Sequence, residues 1–464
     1  MNVPRVMVAG THSGVGKTTV SIGIMSALKD LGFKIQPFKV GPDYIDPSYH
    51  NAVTGRFSEN LDSWMIPHDQ IVELFKRATL DADLAVIEGV MGLYDGVSGM
   101  DETGSSAETA KILKCPVILV IDAHDMARTS AALVLGFKKF DENVNLAGII
   151  VNRVGSQTHA LWCKEAIESA VKIPVLGSLP AIKEIELPER HLGLIPTAET
   201  KTFNPLFPRI GNFIRDNINL NMVVQIAKSA GEASDVQHPV YPASNQPKRV
   251  IIGVAFDEAF NFYYPSNLSI LTAYGAEIKR FSPIHDKQLP TDIHGLYIGG
   301  GFPEMLPKEL AANENMLKTI KKAAENGMPI YAECGGLMYL TDSIEDFDGD
   351  SFKMVGLLNS KTVMTKKTLI NYTLAEVTSE NSFVAKGSQL KGHEFHCSQI
   401  VDIPADAEFA YIMKKGEGIQ KKQDGWIRYN VLASYMHVPF VQDQKIAPHF
   451  VSNCEKYKRQ ISLV

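Results

Sequence analysis

The chain has 464 residues, 45% of them apolar and 21% charged, with a formal net charge of −6. That length suits two or three domains, each able to bury a sizeable core. The mildly acidic balance offers no overall basic field, so neither nucleic acid nor a membrane is expected as a partner, while a local basic pocket for an anionic substrate stays compatible with it.

The five cysteines, Cys115, Cys163, Cys334, Cys397 and Cys454, are far apart and form no CxxC pair. They suggest neither a disulfide framework nor a zinc site, and a reducing, cytoplasmic compartment is the expectation. The N-terminus is a short apolar run that leads into a glycine loop, unlike a secretory leader. No uninterrupted apolar stretch has the length of a bilayer span.

In chain order, residues 5–9, 34–40, 84–88, 117–122, 146–152 and 174–178 read as strands, and 17–31, 107–113, 127–140 and 159–171 carry a helical period. Strands that are apolar throughout are buried on both faces, which implies a parallel sheet covered by helices. The alternation predicts a doubly wound α/β fold. Residues 231–247 (GEASDVQHPVYPASNQP) are polar, hold three prolines and show no helical period. They read as a linker between a domain of residues 1–230 and one of residues 248–464. Strands resume at 249–255, 277–281, 295–298 and 328–332, and 351–400 favours strands and turns. The second domain is therefore also expected to be doubly wound α/β, with antiparallel additions.

Gly10-Thr11-His12-Ser13-Gly14-Val15-Gly16-Lys17-Thr18-Thr19 follows the first strand and opens the first helix. Gly14 and Gly16 let backbone amides turn toward phosphate oxygens, and the helix N-terminus adds partial positive charge. Lys17 can reach the β- and γ-phosphates, Thr18 can hold Mg²⁺, and Thr19 completes the first turn. ATP and Mg²⁺ are the expected cofactors. Gly10 stands one residue too early for GxxxxGK[ST], as in a loop with one extra residue; dethiobiotin synthetase relatives have such a loop.

Two acid- and glycine-rich segments end the second and third predicted strands. One is Lys39-Val40-Gly41-Pro42-Asp43-Tyr44-Ile45-Asp46-Pro47, and the other runs from Glu88 through Gly89 and Gly92 to Asp95 and Gly96. Ligands of open α/β sheets sit beyond the carboxyl ends of the strands. Asp43, Asp46, Glu88 and Asp95 are thus expected to converge beside the phosphate loop, where Mg²⁺ would relieve their repulsion. Ordinary turn chemistry is the alternative for any single aspartate.

GPDYIDP and EGVMGLYDG resemble the fingerprints of the cobyrinate a,c-diamide synthase family. That resemblance implies a first domain like dethiobiotin synthetase, in which ATP phosphorylates a substrate carboxylate and ammonia displaces the phosphate. It assigns Thr18, Asp43 and Glu88 to the metal, and Lys39, Asp43, Tyr44, Asp46 and Asp95 to the substrate. Asn152 falls where related folds read the nucleotide base. The segment from Glu189 to Leu194 is also family-like, without assigned roles.

In the second half, Tyr331-Ala332-Glu333-Cys334-Gly335-Gly336-Leu337 ends an apolar run on a cysteine followed by two glycines. This is a nucleophile elbow with cysteine for serine. The helix that follows is expected to lower the thiol pKa, and the Gly335 amide to face an oxyanion. A second donor is expected from the turn that holds Gly300 and Gly301, and His437 is the candidate base. These segments resemble class I glutamine amidotransferases. Many of those carry a glutamate two residues after the histidine; here that place is Pro439. The third, orienting group is therefore unassigned, with Glu394 or His396 as candidates for orienting His437 or lining an ammonia path. Cys397, followed by no glycine turn, is read as non-catalytic.

The combination predicts an N-terminal P-loop NTPase domain and a C-terminal class I glutamine amidotransferase-like domain. Together they would amidate the a and c acetates of cobyrinic or hydrogenobyrinic acid, with L-glutamine feeding ammonia along a closed path from Cys334 to Asp43. Two readings compete: the same chemistry on nickel-sirohydrochlorin, and a P-loop regulatory or partitioning ATPase with an inactive glutaminase domain. The oligomeric state, a homodimer included, is left open.

Overall fold

The apolar runs of the first half become strands of one parallel sheet. The computed structural model describes residues 3–181, 189–190, 193–194, 197 and 205–462, which divide into two units, Met1–His238 and Pro239–Val464. The first unit holds β1 (Arg5–Gly10), β2 (Ile35–Val40), β3 (Glu59–Leu61), β4 (Leu84–Glu88), β5 (Val117–Asp122), β6 (Leu146–Val154) and β7 (Val175–Pro180). Their order is β3-β2-β4-β1-β5-β6-β7, and every pairing is parallel. The chain leaves β1 for β2 and β3 on one side, returns to place β4 against β1, then continues on the other side through β5. The carboxyl ends of β1, β2 and β4 thus lie together at the point where the winding reverses, the usual place for a ligand crevice.

Helices α1 (Lys17–Asp30), α2 (Ile45–Thr54), α3 (His68–Ala78), α4 (Ser106–Ile112), α5 (Thr129–Phe140) and α6 (Gln157–Val171) connect these strands. α1 follows β1 directly and buries Val20, Ile22, Ile24, Met25 and Leu28. α2, α3 and β3 are not marked in the sequence reading. α2 begins inside GPDYIDP, which reads as a turn, yet Pro47 is only its third residue, where the missing N–H costs nothing. The pairs β8 (Glu189–Arg190) and β9 (Gly193–Leu194) are antiparallel. His191 and Leu192 of that family-like segment lie outside the described residues. α7 (Leu206–Asn217) and α8 (Leu220–Lys228) close the unit.

Residues 231–247 contain neither helix nor strand. Within the first unit, Gly231 N donates to Lys114 O at 3.1 Å and the amides of Gln237 and His238 donate to Asp69 at 3.0 and 2.9 Å. Tyr241 in turn hydrogen-bonds Ser269 in the second unit at 2.7 Å.

The second unit is built on an eleven-stranded mixed sheet. Its parallel end comprises β10 (Val250–Ala255), β11 (Ala276–Phe281), β12 (Gly295–Ile298) and β13 (Ile330–Glu333), with β11 at the edge. The antiparallel additions expected within 351–400 appear as the long hairpin of β16 (Lys361–Val377) and β17 (Gln389–Val401), preceded by the short β14 (Ser343–Glu345) and β15 (Ser351–Lys353). β18 (Glu408–Lys415) and β19 (Gln423–Arg428) then lead antiparallel into β20 (Val431–Ser434), which pairs parallel with β13. α9 (Pro265–Ala273), α10 (Pro307–Ala312), α11 (Glu314–Glu325), α12 (Gly335–Leu340) and α13 (Ile446–Ile461) complete the unit. β13 runs straight into α12 with only Cys334 between them, and β20 delivers the chain to His437 three residues beyond its end.

Candidate active sites

The phosphate loop joins β1 to α1. Gly16 caps the helix at φ 99°, a left-handed conformation that glycine adopts at no steric cost. Lys17, Thr18 and Thr19 form the first turn of α1. The Lys17 ammonium donates to His12 O at 3.1 Å, and burial, then the nearby Lys39 charge, pull it down to about 8. The Asn152 amide donates to Val15 O at 2.8 Å, so in this structure it braces the loop from β6. Arg153 does the same at Gly14 O, at 2.8 Å.

Glu88 at the end of β4 is fully buried and is the hub of this site. Its Oε1 accepts from the Thr18 hydroxyl at 2.7 Å and from Lys39 Nζ at 3.0 Å. Its Oε2 meets His50 Nε2 at 2.7 Å, and His50 Nδ1 meets Ser58 Oγ at 3.1 Å. Burial alone would raise the Glu88 carboxyl; the Lys39 ammonium, His50 and Thr18 overcome it and hold Glu88 far below the usual range. Lys39 also pairs with Asp46 at 2.6 Å and lies 3.9 Å from Asp43. Burial opposes its charge, but Asp46, Glu88 and Asp43 win and keep Lys39 an ammonium. Asp46 is pushed well above the carboxylate range, by burial first and then by Asp43.

Of the expected acids, Asp46 and Glu88 thus meet around Lys39. Asp43 stands at the rim and caps the start of α2 by accepting from Ile45 N at 2.7 Å. The buried Tyr44 follows it. Asp95 accepts from Gly92 N at 2.9 Å, in a loop tied to the phosphate loop through Leu93 N and Gly10 O at 2.8 Å, and its charge is felt by Lys17. Among the described residues no three His, Cys, Asp or Glu side chains form a ready-made metal cage. The neighbouring Thr18 hydroxyl and Glu88 carboxylate are oxygen donors of the kind that would hold Mg²⁺ beside a phosphate. His50 is the member that sequence reasoning missed, because nothing in the spacing of α2 points it at β4.

In the second unit Cys334 sits at φ 47° and ψ −99°, a strained elbow between β13 and α12. Its amide donates to Ser434 O at 2.7 Å, locking the elbow to β20. A Cβ placed on Gly335 would lie 3.1 Å from Gly301 N, so the two expected oxyanion turns adjoin. One placed on Gly300 would lie 2.5 Å from His437 Cε1, so the imidazole packs on the bare backbone there. The structure therefore brings Gly300, Gly301, Gly335, Cys334 and His437 into one neighbourhood.

The thiol departs from expectation. Burial, then Glu304, raise the Cys334 pKa, and the Gly335 amide only partly offsets them. The helix N-terminus does not win in this state, and the Cys334 thiol donates to Phe395 O at 3.5 Å. Glu394 does not orient His437: its carboxylate accepts from the Glu417 and Gly418 amides. His396 stacks on Tyr435 at 3.7 Å with Nδ1 against Ser398 O, and burial pulls it down to about 4. Cys397 pairs with the Thr368 hydroxyl at 3.2 Å.

Comparison with known proteins adds names to this geometry. Residues 6–195 match a family described as the CobQ/CobB/MinD/ParA nucleotide binding domain, and 251–445 a family described as the CobB/CobQ-like glutamine amidotransferase domain. A cobyrinate a,c-diamide synthase of Methanosarcina barkeri is 42% identical over 98% of this chain and 97% of its own length. Those of Caldanaerobacter subterraneus and Priestia megaterium are each 43% identical, over 98% and 99% of this chain and 99% of their own. The chain belongs to the cobyrinate a,c-diamide synthase family. Both units are thus accounted for, as a P-loop NTPase domain and a class I glutamine amidotransferase domain. Neither competing reading gains support: the relatives carry the cobyrinate name, and the match spans the glutaminase motifs as well as the phosphate loop.

Proposed function

We propose that the chain converts the a and c acetate carboxylates of cobyrinic acid, or its metal-free hydrogenobyrinic form, into amides, using ATP, Mg²⁺ and L-glutamine. The observation that carries this reading is a near-full-length match to cobyrinate a,c-diamide synthases; the contacts of Glu88 with Thr18 and Lys39, and the Cys334 elbow beside Gly301, support it. The phosphate-loop amides and Lys17 would bind the triphosphate, and Thr18 with Glu88 would hold Mg²⁺, which would supply neutralisation of the phosphate charge. Lys39, fixed by Asp46 and Glu88, meets the anionic acetate, with Asp43 and Asp95 at the rim and the buried Tyr44 behind Asp43.

The acetate oxygen takes the γ-phosphoryl group and ADP leaves. Ammonia then adds to the acyl carbon and the carbon–oxygen bond to phosphate breaks, giving amide and inorganic phosphate. In the glutaminase unit, His437 takes the Cys334 proton and the sulfur attacks the glutamine amide carbon. The oxyanion faces Gly335 and Gly301. Ammonia leaves with a proton from His437, and water cleaves the thioester to glutamate.

Mass spectrometry of candidate macrocycles incubated with ATP, Mg²⁺ and ¹⁵N-amide glutamine tests the reading. The expected product is cobyrinic or hydrogenobyrinic acid carrying two labelled nitrogens on the a and c acetates. Turnover of ATP without macrocycle amidation, or amidation of nickel-sirohydrochlorin alone, would overturn it.

A further inference from the structure

The position two residues past His437 is Pro439, so the imidazole receives no carboxylate from there. One arrives from the opposite direction. Glu333, the last residue of β13 and the neighbour of the nucleophile, is fully buried, and its Oε2 lies 3.8 Å from His437 Nδ1. Oε2 also accepts from the Tyr297 hydroxyl at 2.8 Å; Oε1 accepts from the Tyr331 hydroxyl at 2.7 Å and from Val438 N at 3.0 Å. Burial, then the Glu333 charge, keep both tyrosines protonated, so they remain donors. Val438 follows His437, so the same carboxylate fixes the backbone that carries the imidazole. Asn267 reinforces this by donating to Val438 O at 2.9 Å.

Two other buried carboxylates nearby, Asp424 and Glu394, are committed elsewhere. Asp424 accepts from Ser434 Oγ at 2.9 Å and from the amides of Gly425, Tyr435 and Met436 at 2.7, 3.2 and 3.2 Å, and Glu394 is held by the amides already described. A buried carboxylate with three donors from β12, β13 and the strand exit is costly to desolvate. Here it aims its charge at an imidazole.

We propose that Glu333 is the positioning carboxylate of His437, standing in for the glutamate that Pro439 displaces. The proposal rests on the glutaminase reading of this unit. Glu333 touches neither glutamine nor the reacting atoms. It sets the orientation of the ring and stabilises the imidazolium formed when Cys334 attacks. Titratable groups near the ring include Glu333, His393 and His396; those near the thiol include Glu304, Glu333, Asp424 and Tyr435. His393 stacks on His437 at 4.8 Å, and burial, then His437, lower its pKa, so it is not a counter-charge for the ring.

The test uses the full chain and reads glutamine hydrolysis across pH. Wild-type hydrolysis establishes the parent reading; its absence would remove that reading before the variants are compared. Glu333→Gln keeps the shape and removes the charge. It is expected to lower kcat roughly 100-fold with little change in KM for glutamine. The acid limb of kcat/KM should move to lower pH, since imidazole and thiol both lose a negative neighbour. Glu333→Asp keeps the charge on a shorter stem and should return the limb to its wild-type position at a reduced plateau. It carries the test if the glutamine variant does not fold. Wild-type kcat in Glu333→Gln, or a reduced kcat with an unmoved limb, would overturn the proposal.

Discussion

His50 reaches the phosphate loop only through Glu88, and that indirectness makes its role testable. Glu88 divides its two oxygens, Oε1 toward Thr18 and Lys39 and Oε2 toward His50. Deleting the imidazole leaves a buried carboxylate oxygen without its donor, a loss of about 1.5–3 kcal/mol for a hydrogen bond to a charged group. It also frees Glu88 to swing away from Thr18. His50→Ala should therefore lower the unfolding midpoint and reduce amide formation driven by ammonium, which bypasses the glutaminase. Calorimetry and an ammonium-dependent synthesis assay check both. A variant with the wild-type midpoint and rate would show that Thr18 and Lys39 suffice to hold Glu88. A buried lysine between acids is not a source of stability on its own, since desolvation offsets much of the Coulomb gain. Its presence at a strand end beside a phosphate loop points to chemistry.

Both sites are strand–turn–helix units, β1 into α1 and β13 into α12, and each depends on a glycine approach at the turn. Gly336 shows how tight the second is: a Cβ there would lie 2.3 Å from Ile298 O on β12, backbone that cannot yield without moving the sheet. Gly336→Ala should cost roughly 1–3 kcal/mol by overpacking and displace the Cys334 elbow, so that glutamine-dependent synthesis falls with the midpoint. Gly136 in α5 has nothing within 4 Å of its would-be Cβ. Gly136→Ala should instead add about 0.5–1 kcal/mol through helix propensity and leave both activities alone. Thermal unfolding of the pair separates steric from propensity effects; equal shifts would contradict the packing described. These two units were legible in the sequence because a strand, its glycine turn and its helix are contiguous. α2 was not, because Asp43, Pro42 and Pro47 read as a turn even though Asp43 caps a helix. Nor was the Glu333 constellation, whose donors come from β12, β13 and Val438, brought together only by the parallel order of the sheet. The lowered thiol pKa was misjudged for a related reason: burial and Glu304 act through the fold, and only the helix end can be read locally.

At the scale of the whole molecule, the proposed function divides two chemistries between two units, with the residues of one taking no part in the bond changes of the other. In the proposed function Cys334 and His437 act on glutamine with Glu333 positioning the imidazole, whereas Lys17, Thr18, Lys39 and Glu88 serve phosphate and carboxylate. If that division holds, Cys334→Ala should lower glutamine-dependent amidation by roughly 1,000-fold or more, since the attacking sulfur is gone. The same variant should retain synthesis from concentrated ammonium. That residual rate should climb with pH as the neutral ammonia fraction grows, a dependence the glutamine-fed wild type need not share. Lys17→Ala should lose amide formation from both nitrogen sources, because no acyl phosphate forms to receive either. The discriminating measurement is the ratio of ammonium- to glutamine-dependent rates in each variant, which cancels differences in protein yield. A Cys334→Ala protein that folds but cannot use ammonium would show that the thiol, or the elbow it anchors, is required by the amide-forming step itself, and the separation of the two chemistries would fail.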